Sequence, residues 1–330
     1  MPKSVASLSL DLDNQWSYMK THGDDGWESF PSYLDIVVPR VLNFLEQRNL
    51  KITFFVVGQD AALEKNHAAL RSLAEAGHEI GNHSFHHEPW LHLYSPKQIS
   101  EEFSRAEEAI AAATGAKPIG FRGPGFSFSD QVLHELASRC YAYDASTFPT
   151  FLGPIARLYY FFTSNLSQAE RSDRKQLFGR MSEGFRSLRP YRWKSSTGDL
   201  VEIPVTTMPI FKVPIHVSYL LYLAQYSRGL ALFYWKIALT LCRTLSVEPS
   251  LLLHPLDFMG HDDFSAADGG SDLSFFPAMS SPAAEKVALV GQVIDLLAQH
   301  HDIVTMATHA KVVDHRMGIR VRMLETASTG

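Results

Sequence analysis

The sequence predicts an α/β fold in which about seven parallel strands form a barrel surrounded by helices. The first 150 residues alternate strand-like and helix-like stretches, beginning with the strand "SVASLSLDLD" at residues 4–13. Strand-like stretches return at 200–205, 250–255 and 302–307, and a helix-like stretch separates the last two. Repeated βα units are typical of a parallel sheet, and about seven of them indicate a barrel closed on itself.

Each early element has its own local signal. Residues 33–50 carry apolar side chains at helical spacing, with Pro39 as a kink, and residues 67–77 form a short helix that a glycine ends. The run "KITFFVVG" (51–58) is β-branched and aromatic throughout, which is typical of a strand covered on both faces. The remaining predictions are strands at 78–84, 118–125 and 141–146, and helices at 129–140 and at 95–115, the latter capped by Ser95.

Residues 151–249 interrupt this alternation. Between Arg157 and Lys194 there are nine Lys or Arg residues against three acids, and we expect no strand within 151–200. Residues 213–241 then form a very apolar helical stretch. We therefore expect one domain, residues 1–330, with 151–249 as a mostly helical insertion within it.

The composition excludes several classes of protein. A hydrophobic content of 45% with 20% charged residues is that of an ordinary globular protein, and a net charge of -5 argues against general nucleic-acid binding. Cys140 and Cys242 form no C-x-x-C pair, so neither a thiolate zinc site nor a disulfide framework is expected. No G-x-S-x-G, G-x-G-x-x-G or P-loop string supports a serine hydrolase, a dinucleotide site or a nucleotide site.

The sequence also bears on localisation. "MPKSVASLSLDLD" lacks the apolar core of a signal peptide, and no stretch offers the roughly 18 uninterrupted apolar residues of a membrane span. We expect a cytoplasmic protein. The basic and then apolar, Tyr- and Trp-rich segment 157–241 would suit a lipid-borne phosphate or peripheral contact at the inner membrane face. A helical subdomain with a buried face and a solvated basic face explains the same pattern.

Four predicted strands are followed by ionisable residues at the point where each strand ends. These residues are Asp11 and Asp13; His83, His86 and His87; Arg122; and His254. In α/β folds, such positions meet at one edge of the sheet. Asp11 and Asp13 are two apart and project the same way, so their charges repel unless a cation or a shared proton relieves them.

The histidines after the third strand have metal-ligand spacing. His83 and His87 are four apart, which brings both rings to one side if the segment forms a helical turn. Together with a carboxylate they would form a His–His–Asp shell, familiar from catalytic zinc sites that keep one position open for water. We expect the His86 ring to point elsewhere. The alternative is a hydrophilic loop that happens to be rich in histidine.

The motifs D-x-D (11–13), H-S-x-x-H (83–87), F-R-x-P (121–124) and L-x-H (252–254), in this order, resemble the polysaccharide deacetylase family. This family is also called the NodB homology family or carbohydrate esterase family 4. The resemblance covers 7–145 closely and 250–307 more loosely. It implies a distorted, incomplete (β/α) barrel that removes acyl groups from sugars with one divalent metal. We expect Zn²⁺, with Co²⁺, Ni²⁺ or Fe²⁺ as alternatives.

The resemblance implies a role for each motif residue. Asp11 takes the place of the general base, and Arg122 that of the arginine that pairs with it. Asp13, His83 and His87 take the place of the metal ligands.

Three further roles concern the leaving group and the oxyanion. His254 resembles the general acid, which a carboxylate would tune. Asp144 is the expected carboxylate and Asp257 the competing one. The backbone N–H of Gly125 falls where the family's oxyanion donor lies.

Two departures from the family pattern affect the expected substrate. The D-x-D form resembles a branch that includes deformylases acting on lipid-linked aminoarabinose. "RGPG" (122–125) replaces the usual R-P-P-Y and removes an aromatic residue from the sugar-binding floor. Trp16, Trp90 or Phe126 are the candidates to replace it.

We therefore expect a metal-dependent hydrolase of the cell envelope that removes an acetyl or formyl group from the nitrogen of a sugar. The substrate would be a polysaccharide or a lipid-linked glycan. One alternative is a metal-independent hydrolase of cyclic amides, since some relatives with altered motifs have that activity. The other is a barrel that binds glycans without catalysis. The sequence leaves the oligomeric state open.

Overall fold

The computed structural model describes residues 3–153, 181–264, 273, 276 and 278–324. The strands are β1 (Ser4–Asp11), β2 (Thr53–Val56), β3 (Glu79–Asn82), β4 (Gly120–Phe121), β5 (Tyr143–Asp144), β6 (Tyr191–Lys194), β7 (Asp199–Glu202), β8 (Ser250–Leu253), β9 (His301–Val304) and β10 (Val321–Met323). The α-helices are α1 (Gln15–His22), α2 (Leu34–Glu46), α3 (Gly58–Ala61), α4 (His67–Glu75), α5 (Pro96–Thr114), α6 (Asp130–Ser138), α7 (Val217–Ala224), α8 (Arg228–Thr244), α9 (Ala283–His300) and α10 (Met306–Asp314).

The strands form one sheet in the order β10-β6-β7-β5-β4-β3-β2-β1-β8, with β9 also paired to β1. Pairings along the row from β7 to β8 are parallel, as is that of β9 with β1. Among the described residues no ladder joins β7 to β8, but the Thr206 N–H donates to the Ser250 carbonyl at 3.0 Å across this gap. The sheet is therefore an incomplete barrel, which confirms the predicted fold class.

The expectation of no strand within 151–200 is wrong. Tyr191–Lys194 form β6, which pairs antiparallel with β7 in the register Tyr191↔Glu202. Tyr191 and Trp193 are buried, whereas Arg192 and Lys194 point outward. This alternation with period two is the signal of a half-buried strand, and the high local density of basic residues obscured it.

The apolar stretch 213–241 forms two helices, α7 and α8, rather than one. The buried Trp235 of α8 donates its indole N–H to the Val293 carbonyl of α9 at 2.9 Å, so this part of the expected insertion packs into the main core. Residues 154–180 of that insertion, including much of its basic segment, lie outside the described residues. In the part of the chain that is described, no helix has the length and apolarity to cross a membrane.

Candidate active site

The register of the sheet aligns the predicted site residues along one edge. Leu10 of β1 pairs with Leu253 of β8, so the next residues, Asp11 and His254, lie side by side at the carboxyl ends of neighbouring strands. Asn82 of β3 pairs with Phe121 of β4 in the same way. The residues that follow them, His83 and Arg122, are therefore also neighbours. Parallel strands bring these four side chains to one edge because all their carboxyl ends point the same way.

Asp13, His83 and His87 converge on one point. Asp13 Oδ1 lies 2.9 Å from His87 Nε2 and 3.3 Å from His83 Nε2, and one ligand atom of each residue lies within 4.8 Å of the others. Burial disfavours the charged form of Asp13. The attraction of His87 and the hydrogen bonds from both histidines outweigh this, and they hold the pKa of Asp13 well below its usual value. The group can hold a divalent cation, since two imidazoles and an ionised carboxylate are zinc-type ligands.

The tautomer of His83 suits a metal ligand. Its Nδ1 lies 2.7 Å from the Arg122 carbonyl oxygen, which can only accept a hydrogen bond. Nδ1 therefore carries a proton, and Nε2, which faces Asp13 at 3.3 Å, is the nitrogen that could bind a metal once it is deprotonated. A backbone carbonyl that fixes the far nitrogen of a histidine is the usual arrangement behind a metal-binding imidazole.

The loop that carries the two histidines is not the expected helical turn. Ser84 and His87 have positive φ angles of 62° and 55°, so the chain turns through left-handed conformations and still brings the rings to a centroid distance of 5.1 Å. Glu102 of α5 supports this loop: it accepts the N–H groups of Phe85 at 2.9 Å and of His86 at 2.7 Å. The His86 ring binds Glu102 as well, and so it points away from the triad of Asp13, His83 and His87, as predicted.

A buried ion pair lies beside the triad. Arg122 Nη1 donates to Asp11 Oδ1 at 2.6 Å and to Ser9 Oγ at 2.9 Å, while its Nε donates to the Ala145 carbonyl. The guanidinium also lies over the Phe55 ring, 4.4 Å from its centroid. Asp11 and Arg122 are both buried, so the carboxylate is held in one orientation.

His254 contacts a carboxylate through a serine. Its Nδ1 lies 3.1 Å from Ser218 Oγ, which donates to Asp257 Oδ1 at 2.8 Å. The expectation that Asp144 tunes His254 does not agree with the described contacts. The Asp144 carboxyl accepts from Ser146 Oγ at 2.6 Å and faces Glu202, and these contacts turn it toward β7. Asp257, the competing candidate, holds that position.

Trp16 cannot form a floor for the sugar, because its side chain is buried. Its indole N–H donates to Asp60 Oδ1 at 2.9 Å, and its ring meets the His87 ring edge to face. Burial raises the pKa of Asp60 to about 7, against the hydrogen bonds from Asn14 and Trp16. Asp60 thus holds Trp16, and Trp16 packs against the ring of His87.

Phe126 is better placed among the aromatic candidates. It is half-buried and stacks on Phe148 at 4.5 Å, and Phe148 adjoins His216, which lies 5.8 Å from His254. Gly125 precedes it, exposed and at φ +57°, in the turn Pro124–Phe126. Trp90 is half-buried at the start of the short turn Leu91–Leu93.

Sequence reasoning missed Glu102, His216 and Ser218. The buried His216 has a pKa held well below its usual value by burial and by the nearby charges of His254 and Arg122. The string "IHVS" (215–218) precedes an apolar helix and contains no motif, so nothing local marked it.

Comparisons with known proteins agree with the motifs. A family model described as polysaccharide deacetylase matches residues 23–143, which include His83, His87 and Arg122 but neither Asp11 nor Asp13. Listeria monocytogenes peptidoglycan-N-acetylglucosamine deacetylase is 32% identical over 100 residues, which are 30% of this chain and 21% of that protein. Bacillus subtilis peptidoglycan-N-acetylmuramic acid deacetylase is 35% identical over 98 residues, 29% of this chain and 36% of that protein. The matches thus span about a third or less of these relatives.

A solved structure extends the similarity to the whole fold. It is that of a Mycobacterium smegmatis protein classed as a polysaccharide deacetylase, with a TM-score of 0.63 and 21% sequence identity. The alignment covers 99% of this chain and 95% of that one, so the likeness of fold extends beyond residues 23–143. Residues 23–143 are thus similar to the polysaccharide deacetylase family, and the fold of the chain is similar to that of the Mycobacterium smegmatis protein.

Proposed function

We propose that this chain is a metal-dependent hydrolase that removes an N-acyl group, acetyl or formyl, from a sugar of a glycan. The observation that carries the proposal is the convergence of Asp13, His83 and His87 beside the Asp11–Arg122 pair. A protein that only binds glycans does not need these groups together. The relatives named above act on N-acetylated sugars of peptidoglycan according to their names.

Asp13, His83 and His87 would hold the metal. A divalent cation supplies Lewis-acid chemistry at such a site, since it activates water and polarises the acyl carbonyl. We propose zinc, because imidazole nitrogens with one carboxylate are common catalytic zinc ligands. The Arg122 carbonyl holds the Nδ1 proton of His83, so Nε2 is the nitrogen left to bind a metal beside Asp13, which supports this assignment.

The protein's own groups supply the proton transfers. Asp11, held by Arg122, accepts the proton of the attacking water. His254, on the neighbouring strand, donates a proton to the departing amine. The N–H of Gly125 stabilises the oxyanion, a contribution of about 3 kcal/mol for one such donor, and Phe126 contacts the sugar.

Metal analysis of the purified protein tests the proposal most directly. We expect one divalent ion per chain, more than about 100-fold weaker binding in His83→Ala, and release of acetate from N-acetylated oligosaccharides by the loaded wild type. His86→Ala is the matched control, because His86 lies in the same loop and its ring binds Glu102. Full activity after complete removal of metal would favour the cyclic amide hydrolase. Stoichiometric metal and glycan binding without turnover would favour the non-catalytic barrel.

We further propose that the substrate is borne on a lipid and that α8 contacts the membrane surface. Leu230, Phe233 and Ile237 recur at helical spacing on a face that is 51%, 61% and 37% exposed, opposite the buried Trp235. Helix α8 is thus apolar on both faces. The narrower resemblance to deformylases of lipid-linked aminoarabinose supports the same idea.

The charges of the segment that carries this face are those expected for binding to anionic lipid. Residues 203–247 contain four cations, Lys212, Arg228, Lys236 and Arg243, and no Asp or Glu. Exposed apolar side chains flanked by cations bind the interface of anionic membranes. Such a surface would place the protein at the inner face of the membrane.

Vesicle co-sedimentation tests this surface. The wild type is expected to sediment with phosphatidylglycerol vesicles more than with phosphatidylcholine vesicles. The double variant Leu230→Ser/Phe233→Ser should lose this binding, whereas Met317→Ser, at a fully exposed apolar position outside α8, should keep it. Equal sedimentation of wild type and double variant would refute the membrane contact.

A further inference from the structure

We propose that Ser218 is a positioning residue that fixes the ring proton of His254 on Nδ1 and thereby makes Nε2 the nitrogen that exchanges a proton with the substrate. The inference rests on the proposed function, in which His254 is the general acid. It adds a residue of the 151–249 segment to the catalytic machinery.

The geometry is a chain of three side chains. Ser218 is the second residue of α7, and its buried Oγ donates to Asp257 Oδ1 at 2.8 Å. The other carboxyl oxygen, Asp257 Oδ2, accepts the backbone N–H of His254 at 2.8 Å. His254 Nδ1 lies 3.1 Å from Ser218 Oγ. Asp257 is fully buried, and these hydrogen bonds occupy both of its carboxyl oxygens.

Counting hydrogens fixes the tautomer. A serine hydroxyl has one hydrogen, and here that hydrogen is donated to Asp257. Ser218 Oγ can therefore only accept from His254, and Nδ1 must carry the proton. Nε2 accepts hydrogen bonds when the ring is neutral and donates when the ring is charged. A single nitrogen is thus assigned to proton exchange in both protonation states.

The other groups around His254 leave this role to Ser218. His216 and Phe276 contact the ring with centroid distances of 5.8 and 6.3 Å. His216 is kept neutral by burial, which lowers its pKa well below its usual value. Lys286 and Tyr18 each interact electrostatically with Asp257. The Lys286 amine contacts the Met279 sulfur.

Nitrogen-15 NMR of histidine-labelled protein tests the proposal, with His254→Gln identifying the His254 signals. In the wild type with a neutral ring, Nδ1 should give the signal of a protonated nitrogen and Nε2 that of an unprotonated one. Ser218→Ala should produce a mixture of tautomers and lower kcat at least about 10-fold with little change in KM. Ser218→Thr retains the hydroxyl and should restore both the tautomer and kcat.

Asp257→Asn gives a sharper second variant. The amide must turn its oxygen toward the His254 N–H, so its NH₂ group would donate to Ser218 Oγ. The serine hydrogen would then point at Nδ1, and the proton of His254 should move to Nε2. An unchanged nitrogen-15 pattern in both Ser218→Ala and Asp257→Asn would overturn the proposal. The predicted pattern in a wild type without deacylase activity would overturn the proposed function and leave the positioning role standing.

Discussion

Asp144 and Glu202 lie opposite each other on strands β5 and β7, and both carboxyl groups are fully buried. Glu202 accepts hydrogen bonds from the Trp193 indole and the Thr147 N–H. Burial raises the pKa of Asp144, and burial together with the charge of Asp144 raises that of Glu202 well above its usual value. The pair therefore retains a proton. It also shapes the loop after β4, because Ser146 bonds Asp144 and accepts the Gly123 N–H.

This pair makes stability depend on pH. Acids with raised folded-state pKa values contribute stability at low pH, and that contribution is lost as pH rises through the folded-state values. Asp144→Asn keeps an oxygen for Ser146 and directs an NH₂ group toward Glu202. The variant should therefore lose less stability than the wild type as the pH rises. As the pH rises above the ordinary carboxyl pKa values of about 4, we expect the Tm of the wild type to fall more steeply than that of the variant. The exposed Asp302→Asn is the control, and parallel curves for Asp144→Asn and the wild type would contradict the explanation.

Asp11→Asn should strongly lower kcat and leave metal binding intact. The amide keeps an oxygen for Arg122 but cannot accept a proton, and the three proposed metal ligands are unchanged. General-base groups contribute about 100- to 10,000-fold, so a loss of that size in kcat is expected. Metal content and circular dichroism would be measured on the same sample, because losing the charge beside the buried Arg122 also lowers the stability. Retained activity would remove Asp11 as the base.

Glu102→Ala should weaken metal binding without touching a ligand. Glu102 fixes the backbone of Phe85 and His86, between the two proposed histidine ligands. Residues that orient ligands contribute about 10- to 100-fold in metal affinity, and we expect a loss in this range by competition with a fluorescent chelator. Glu101→Ala changes the exposed neighbour on α5 and should have no effect. Equal affinities of the two variants would show that the loop holds its shape without Glu102.

Asp60 should make its own measurable contribution to the pH dependence of the free energy of unfolding. Its pKa is raised to about 7 by burial, so the folded state holds a proton that the unfolded state has released. The free energy of unfolding of the wild type should therefore decrease between pH 5 and pH 7, by on the order of 2 kcal/mol from this group. Denaturant titrations of Asp60→Asn should lack this component, whereas Asp302→Asn should retain it. A variant as pH-sensitive as the wild type would assign the effect to other groups.

The sequence predicted the parallel sheet and the triad well because both have strong local signals. Strand β1 alternates serine with apolar residues, β2 lies in a β-branched and aromatic run, and Ser95 caps α5, with the side chain of Gln98 completing the cap. Asp11 ends β1, Arg122 and His254 follow β4 and β8 directly, and the parallel arrangement brings these strand ends together. Helix α1, by contrast, has little amphipathic pattern and was not expected.

The succession of most strands and helices along the chain and the polar residues at the strand ends were therefore determined by the sequence itself, since hydrophobic periodicity is a local property of the chain. Only the tertiary structure decided which way each polar side chain turns. In that structure Trp16 is buried and bonds Asp60, and Asp144 faces Glu202. His254 contacts Ser218, which bonds Asp257. The physical reason is that hydrogen bonds between distant segments depend on packing and orientation in three dimensions. No periodic pattern along the chain encodes those contacts.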